Sequence, residues 1–300
     1  MLQLGDLFKL TKYLSCAKLL LVFFKNYSAK KSLWSEETMS QKKESMSRLE
    51  KDLLAATVFC IMIVNITVKD EKTGRKKRQD DVRQFSATAF EKEGNIYRFI
   101  AAAHCIGDNN QMCDDIMNNS LKIPPMIYLS KNSLATKQGI YRAKLVAMGK
   151  LSEGEDFAVL EAEINDCEIT VIPLVDSNLE MGDEVINIAT PIGWDKTLFR
   201  GYVANLNMDK FKYSIGEDSI EIKTAILCSL PSGPGSSGSA IVSEKHGGIV
   251  AILVSSLKSG KKTIAPVSVV LPIRMFKEFW KMFKLEIKSN QYFEENIDFV

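Results

Sequence analysis

Histidine is nearly absent from this chain: its 300 residues include only two, His104 and His246. Chemistry that needs an imidazole therefore has two candidates, and a zinc site built on several histidines is excluded. Net charge is equally scarce. Against 37 Asp and Glu stand 39 Lys and Arg, leaving +2. No overall field draws in nucleic acid, and no basic stripe with interleaved aromatics replaces it, so no nucleic-acid partner is expected. Uninterrupted apolar runs never reach the roughly 20 residues that cross a bilayer. The six cysteines (Cys16, Cys60, Cys105, Cys113, Cys167, Cys228) lie far apart in a chain long enough to fold without staples. Thiols and a reducing, cytoplasmic setting are expected, not a disulfide framework. Only Cys105 and Cys113 are near neighbours, and they offer no zinc ligand set; no metal and no cofactor is expected.

What is present has the balance of a soluble globular protein, with 46% hydrophobic and 25% charged residues. The length admits one large domain or two ordinary ones. Residues 1–35 carry Lys9, Lys12, Lys18, Lys25, Lys30 and Lys31 against the single acid Asp6, around the apolar run Tyr13 to Phe24. That run is short, is broken by Lys18, and lacks a small-residue cleavage site, so neither a signal peptide nor a spanning helix fits. Two readings stand: a basic amphipathic helix on a membrane surface or partner, or a helix docked on the protein's own body. Ser35 to Leu54 has Met39, Met46, Leu49 and Leu53 at helical intervals, which predicts a short amphipathic helix. The apolar stretch Leu53 to Val68, rich in Val, Ile and Thr, predicts a strand, and Lys69 to Asp81 reads as an exposed loop.

From there to about residue 272, short β-rich segments alternate with turn signals: Phe85–Phe90, Ile96–Ala102, Met126–Leu129, Tyr141–Met148, Phe157–Ala162, Glu184–Ala189, Phe199–Leu206, Ser219–Ala225, Ser239–Val242, Gly248–Ser255 and Lys262–Val270. Such spacing, with almost no helical period between the segments, predicts an all-β antiparallel sandwich or barrel. Ile273 to Leu285 returns to helical period through Met275, Phe276, Phe279, Trp280 and Phe283, a C-terminal helix closing the domain.

Acyl transfer by serine needs a hydroxyl, a base, a group that orients the base, and N–H groups aimed at the developing oxyanion. The hydroxyl candidate is Ser237 in Pro234-Gly235-Ser236-Ser237-Gly238-Ser239-Ala240, where glycines two before and one after it permit a tight turn that points the N–H groups of Gly235 and Ser237 at one spot. Alone, such a run is ordinary turn chemistry. The base candidate, His104, ends the apolar run Phe99 to Ala103, beside the small residues that leave room for a cleft; His246, in the polar turn Glu244 to Gly248, is a poor candidate. Asp156 stands immediately before the apolar run Phe157 to Leu160; by itself it reads as a surface acid capping a strand.

Together these segments resemble a known family. Ala101-Ala102-Ala103-His104-Cys105 is similar to the Ala-Ala-His-Cys signature of trypsin-like peptidases, Asp156-Phe157-Ala158-Val159-Leu160 to their Asp-Ile-Ala-Leu-Leu, and Gly235-Ser236-Ser237-Gly238-Ser239 to the Gly-Asp/Asn-Ser-Gly-Gly around the nucleophile, in the same order. Within this clan the closer likeness is to the HtrA/DegP-like branch, through Phe85 to Phe90, Tyr141 to Val146, Val175-Asp176-Ser177, Met181 to Val185 and Ala189-Thr190-Pro191-Ile192-Gly193. The resemblance covers about residues 55 to 282. It implies two chymotrypsin-like antiparallel β-barrels with the active site between them: a basic and helical extension over 1–52, a peptidase domain over 53–285 (barrels at about 53–165 and 170–272, helix 273–285), and a tail over 286–300.

It further implies a serine endopeptidase acting through an acyl-enzyme, with His104, Asp156 and Ser237 as triad and the N–H groups of Gly235 and Ser237 as oxyanion hole. A polypeptide substrate would lie extended beside Ala251 to Ser255, touching Leu253, Val254 and Ser255. The pocket floor would come from Leu230, Pro231, Ser232 and Gly233, which hold no acid, so a small or medium apolar side chain is expected there. Departures are informative. The disulfide-rich digestive branch has a partner cysteine about sixteen residues before its histidine, and none stands there here, so Cys105 is expected unpaired. Ser239 and Ala240 replace glycine and proline but are small enough to keep the turn. Residues 283–300 are too few for the PDZ domain usual in the HtrA branch. Two rival readings remain, a catalytically inactive peptide-binding scaffold and a viral or phage-type processing protease; the oligomeric state is left open.

Overall fold

A computed structural model describes residues 46–69, 76–107, 110–118, 120–121, 124–131, 139–191, 196–215, 218–259 and 262–297. The basic segment 1–35, residues 70–75 of the loop expected at 69–81 and Ile192-Gly193 therefore lie outside the described residues. Helix α1, Arg48–Ala56, is started by a capping box: Ser47 Oγ accepts from the Glu50 N–H and Glu50 returns a bond to the Ser47 N–H. These reciprocal bonds satisfy donors that a helix start leaves open. The helix continues through Leu53 to Ala56, so the strand expected from Leu53 begins at Thr57 instead: Leu53 and Ala56 are buried one turn apart, and leucine and alanine favour helix.

Strands β1 (Thr57–Lys69), β2 (Lys76–Glu93) and β3 (Ile96–Ala101) follow, then helix α2 (Asn110–Met117), β4 (Met126–Ser130), β5 (Ile140–Met148) and β6 (Ala158–Glu163). They close as an antiparallel barrel in the order β1-β2-β3-β6-β5-β4. The long apolar run of β1 has a simple cause. Val58, Cys60, Met62 and Val64 enter the barrel core, while Phe59, Ile61 and Ile63 form a second cluster with Val82, Met126 and Tyr128. Both faces are covered, so the usual apolar–polar alternation is lost. Two expectations are corrected here. β2 starts at Lys76, pairing with Lys69, so the exposed loop is shorter than Lys69 to Asp81. Helix α2 interrupts a stretch expected to lack helix; Cys113 and Ile116, three apart, supply its one buried stripe.

The second barrel comprises β7 (Glu184–Ala189), β8 (Thr197–Ile215), β9 (Asp218–Cys228), β10 (Ala240–Ser243), β11 (Gly248–Ser259) and β12 (Lys262–Pro272), closed as β10-β11-β12-β9-β8-β7. The β8–β9 hairpin outruns the expected Phe199–Leu206 and Ser219–Ala225, its pairing carried on to Ile215 and Asp218. Helix α3, Ile273–Ile297, then leaves the second barrel and packs on the first. Phe276 meets Phe90 and Phe157 edge-on at 5.2 and 5.7 Å, and Phe279 lies 4.9 Å from Phe157. Trp280 Nε1 donates to Glu91 at 3.0 Å. The helix runs past the expected 285 because no Pro or Gly follows Leu285 to stop it. No described helix is long and apolar enough to cross a membrane.

Helix α1 is tied to the second barrel by a forked ion pair: Arg200 on β8 donates from Nε and an Nη to the two oxygens of Glu50, at 2.6 and 2.8 Å. Glu50 is buried while Arg200 is half exposed. The Arg200 hydrogen bond holds the Glu50 carboxyl below the usual carboxylate range, against the opposing effect of burial. Arg200→Ala leaves that carboxylate buried without its partner and should cost about 2 kcal/mol, less than a fully buried pair because Arg200 is wet. Since the depressed carboxyl stabilises above the unfolded-state range and loses this as pH falls, the gap between wild type and Arg200→Ala should shrink in acid. Urea unfolding at neutral and acidic pH measures both; a gap independent of pH counts against the ion pair.

Candidate active site

Strands β3 and β6 are antiparallel neighbours, with Ala101 opposite Ala158. Three residues beyond the first lies His104, on the 3₁₀ turn Ala103–Cys105; two before the second lies Asp156. Pairing alone brings them to one end of the sheet. Asp156 is fully buried and accepts twice from His104, from its backbone N–H at 2.8 Å and at ring Nδ1 at 2.6 Å. A carboxylate on Nδ1 fixes the tautomer with Nε2 as the basic nitrogen. Burial disfavours the charged ring, yet the Asp156 charge and hydrogen bond, helped by the Cys105 thiol, outweigh it and hold the His104 pKa well above the ordinary histidine range. His104 Nε2 faces Cys105 Sγ at 3.7 Å. His246, as expected, is elsewhere: it sits in the β10–β11 turn, 3.5 Å from Asp183.

Ser237 arrives from the other barrel, on the loop between β9 and β10. Its carbonyl accepts from the Ser86 N–H of β2 at 3.1 Å. Gly238 makes that approach possible. With φ at +86°, a Cβ there would stand 2.4 Å from the Ser86 oxygen and 2.8 Å from the Ala102 nitrogen. The serine loop is thus pressed against the chain two residues before His104. The hydroxyl of Ser237 donates at 3.5 Å to the carbonyl of Val254, a long bond. That carbonyl is turned toward it by a bulge in β11, where Val254 is the extra residue between Leu253 and Ser255.

Within the loop, N–H groups are accounted for one by one. Ser236 donates to Gly233, Gly238 to Leu253, Ser239 to Ser236, and Gly233 to Ser236 Oγ. Those of Gly235 and Ser237 have no partner among the described residues. Gly235 itself has φ +93°, a conformation glycine adopts without a Cβ penalty. Two unpaired donors flanking one serine are what an anion would need.

The expected substrate-contacting residues divide. Pro231, Ser232, Gly233 and Ser255 are partly or fully exposed, and Ser232 Oγ lies 2.8 Å from Ser256 Oγ across the gap to β11. Leu230 and Leu253, by contrast, have their side chains packed in the core of the second barrel, and Val254 is buried as well. Leu230, in the loop after β9, and Leu253 fill the second barrel, while Val254, the extra residue of the β11 bulge, packs in the larger cluster; only backbone of Leu253 and Val254 reaches the site. Several hydroxyls were passed over in the sequence: Ser86 and Thr88 on β2 and Thr190 after β7 are all buried, bonding to the serine loop and its flanks. Their signal is visible in Phe85-Ser86-Ala87-Thr88-Ala89-Phe90, where hydroxyls alternate inside an otherwise apolar strand.

A family model described as trypsin-like peptidase domain matches residues 86–252, more than half of the chain. The chain belongs to that family. A trypsin-like peptidase domain is that of a serine peptidase, a hydrolase. Among solved structures, the chain is similar to the HtrA-type protease AlgW with decapeptide, at 15% identity and TM-score 0.54 over 78% of this chain and 66% of that one. It is similar also to Deg5, at 17% identity and TM-score 0.50 over 82% and 94%, and to a second AlgW structure with decapeptide, at 15% and 0.53 over 76% and 64%. The chain thus spans just under two thirds of the two AlgW chains. At these identities the likeness shows the fold. No curated protein matches.

In this trypsin-like domain, Gly238→Ala has both a disallowed φ and a backbone clash to absorb. It should cost about 2–4 kcal/mol and remove most peptidase activity. Thermal unfolding and peptide hydrolysis measure the two; an unchanged Tm would mean the loop does not approach β2 as closely as 2.4 Å requires.

Proposed function

We propose that the chain is an endopeptidase that cleaves polypeptides through an acyl-enzyme, with Ser237 as nucleophile, His104 as general base and acid, and Asp156 as the group that orients and charges the imidazole. What carries this proposal is the double attachment of His104 to the buried Asp156, at backbone and ring together. A surface acid capping a strand has no reason to bind one histidine twice. In the reaction, Ser237 Oγ leaves Val254, gives its proton to His104 Nε2 and attacks the scissile carbonyl carbon. The oxyanion accepts from the N–H groups of Gly235 and Ser237. His104 returns the proton to the leaving amine, and a water, activated by the same nitrogen, releases the acyl group. In resting enzymes such hydrogen bonds are often long and tighten when substrate binds.

The substrate strand would add to β11. Strand β10 covers that edge only as far as Ala240, opposite Ile252, with Leu253 bonded to Ser239 and Gly238. Beyond Leu253 the same edge carries no strand among the described residues, so an extended peptide can pair with Ser255 and its successors. Pro231, Ser232 and Gly233 would line the adjoining pocket. It lacks an acid and is narrowed by the Ser232–Ser256 bond, which suits a small or medium apolar side chain. AlgW is described with a decapeptide, which supports a polypeptide as the substrate here.

Ser237→Ala should abolish turnover, to within about 10³–10⁴ of the uncatalysed rate, while Tm stays close to wild type. Fluorophosphonate should label wild type at Ser237 and leave Ser237→Ala unlabelled. An unlabelled, inert wild type supports the scaffold reading instead, for which the Val254 contact of the hydroxyl speaks.

The pH profile has a definite sign. Only neutral His104 can accept a proton, and Asp156 raises its pKa, so kcat/KM should rise with pH through a midpoint above the ordinary histidine range. Asp156→Asn should move that midpoint down and lower kcat by about 10⁴. A midpoint that stays where it is in Asp156→Asn would falsify the assignment of that limb to His104.

A further inference from the structure

Ser86 lies on β2 in the first barrel, fully buried and outside the expected triad. Its Oγ has three polar neighbours: the Gly235 carbonyl oxygen at 2.7 Å, Thr190 Oγ1 at 2.9 Å and the Thr190 nitrogen at 3.0 Å. A hydroxyl has one proton and two lone pairs. A carbonyl oxygen cannot donate, so the Ser86 proton goes to Gly235. The Thr190 N–H can only donate and fills one lone pair, which leaves the Thr190 hydroxyl to donate into the other. One arrangement satisfies every group, and it fixes the rotor of Ser86. The backbone N–H of the same residue holds the Ser237 carbonyl. Ser86 therefore grips the serine loop at Gly235 and at Ser237.

Gly235 is where such a grip matters. At φ +93° it can turn over its flanking peptides at small steric cost, and a turned peptide would present an oxygen where an N–H is needed. The far end of the Gly235–Ser236 peptide is already held by the Ser236 N–H on Gly233. With the carbonyl end held by Ser86, this peptide, which joins the two donor-bearing peptides Pro234–Gly235 and Ser236–Ser237, is fixed at both ends. Turning it would strand a buried donor and acceptor together, which proteins rarely tolerate, so it is the fixed plane from which the two N–H groups are aimed.

We propose that Ser86, its rotor locked by Thr190, is a positioning residue that keeps the N–H groups of Gly235 and Ser237 turned toward the oxyanion. This rests on the reading of Ser237 as nucleophile. It assigns to the first barrel, through β2, a share in the oxyanion site as well as the histidine and aspartate.

The test uses the full chain and three readouts: kcat and KM on a peptide substrate, affinity for a peptide boronic acid that forms a tetrahedral adduct on serine, and Tm. Ser86→Ala should lower kcat by about tenfold or more, short of the 10²–10³ seen on deleting a donor outright. KM should change less than about twofold, because ground-state binding does not use these donors, and boronic acid affinity should fall with kcat. Should Ser86→Ala fail to fold, Thr190→Val, which keeps volume and removes only the hydroxyl, takes its place with an expected loss in kcat of roughly three- to tenfold on the same grounds. A variant with lowered Tm but undiminished kcat per labelled Ser237 makes Ser86 merely structural and overturns the proposal. A wild type that fluorophosphonate does not label at Ser237 overturns the nucleophile instead, which keeps the two failures apart.

Discussion

Two barrels made from consecutive halves of the chain have no covalent reason to share a site; what joins them is direct backbone contact between β2 and the loop that carries Ser237. The Ser86 N–H bonds the Ser237 carbonyl, and the missing side chain of Gly238 lets the loop lie against Ala101 and Ala102. Everything else in the site depends on that contact. It sets how far Ser237 stands from the turn bearing His104, and it buries the hydroxyls of Ser86, Thr88 and Thr190 in one layer. Around the contact, polar groups of both barrels bond to one another, with Asn187 Oδ1 left without a partner among the described residues. Asn187 of β7 donates to Ser239 Oγ and to the Ala240 carbonyl, Ser239 Oγ donates to the Ser236 carbonyl, and Thr88 accepts from the Ala240 N–H. A buried polar layer of this kind specifies one arrangement of the loop, because any other leaves groups unpaired.

Electrostatics follow from the same geometry. Asp156 is buried, but its charge is met twice by one residue, so the cost of removing it from water is offset where it is used. The consequence falls on His104, whose affinity for a proton is raised. In the proposed mechanism, the ring is thereby prepared to carry positive charge at the moment when Ser237 loses its proton.

Much of this was legible in sequence, and the limits have physical causes. Short, mostly apolar segments that end at turn signals, such as Ile96–Ala101, Met126–Ser130 and Glu184–Ala189, match their strands to within a residue, since their apolar residues are buried in the barrels. The candidates His104, Asp156 and Ser237 stand out in the sequence because each breaks an apolar run at its end or stands in a glycine turn, where the polarity of a side chain is conspicuous. Hairpins that outrun the barrel, such as Lys69 against Lys76, were not, because beyond the core no burial pattern marks the pairing. Helix α2 is too short, with one buried stripe, to show a period. The inward packing of Leu230 and Leu253 depends on closure of the second barrel, a tertiary fact. The Ser86 hydroxyl stood in plain view, but its value lies in Gly235, 149 positions away.

Helix α3 gives the site a place in time as well as in space. Phe157, the residue after Asp156, packs edge-on against Phe276 and beside Phe279, on a helix that follows both barrels in chain order. During synthesis His104, Asp156 and even Ser237 emerge before the aromatic face that seats Phe157 exists. A nascent chain thus holds every chemical group of the candidate site before the last aromatic neighbours of Phe157 have been made.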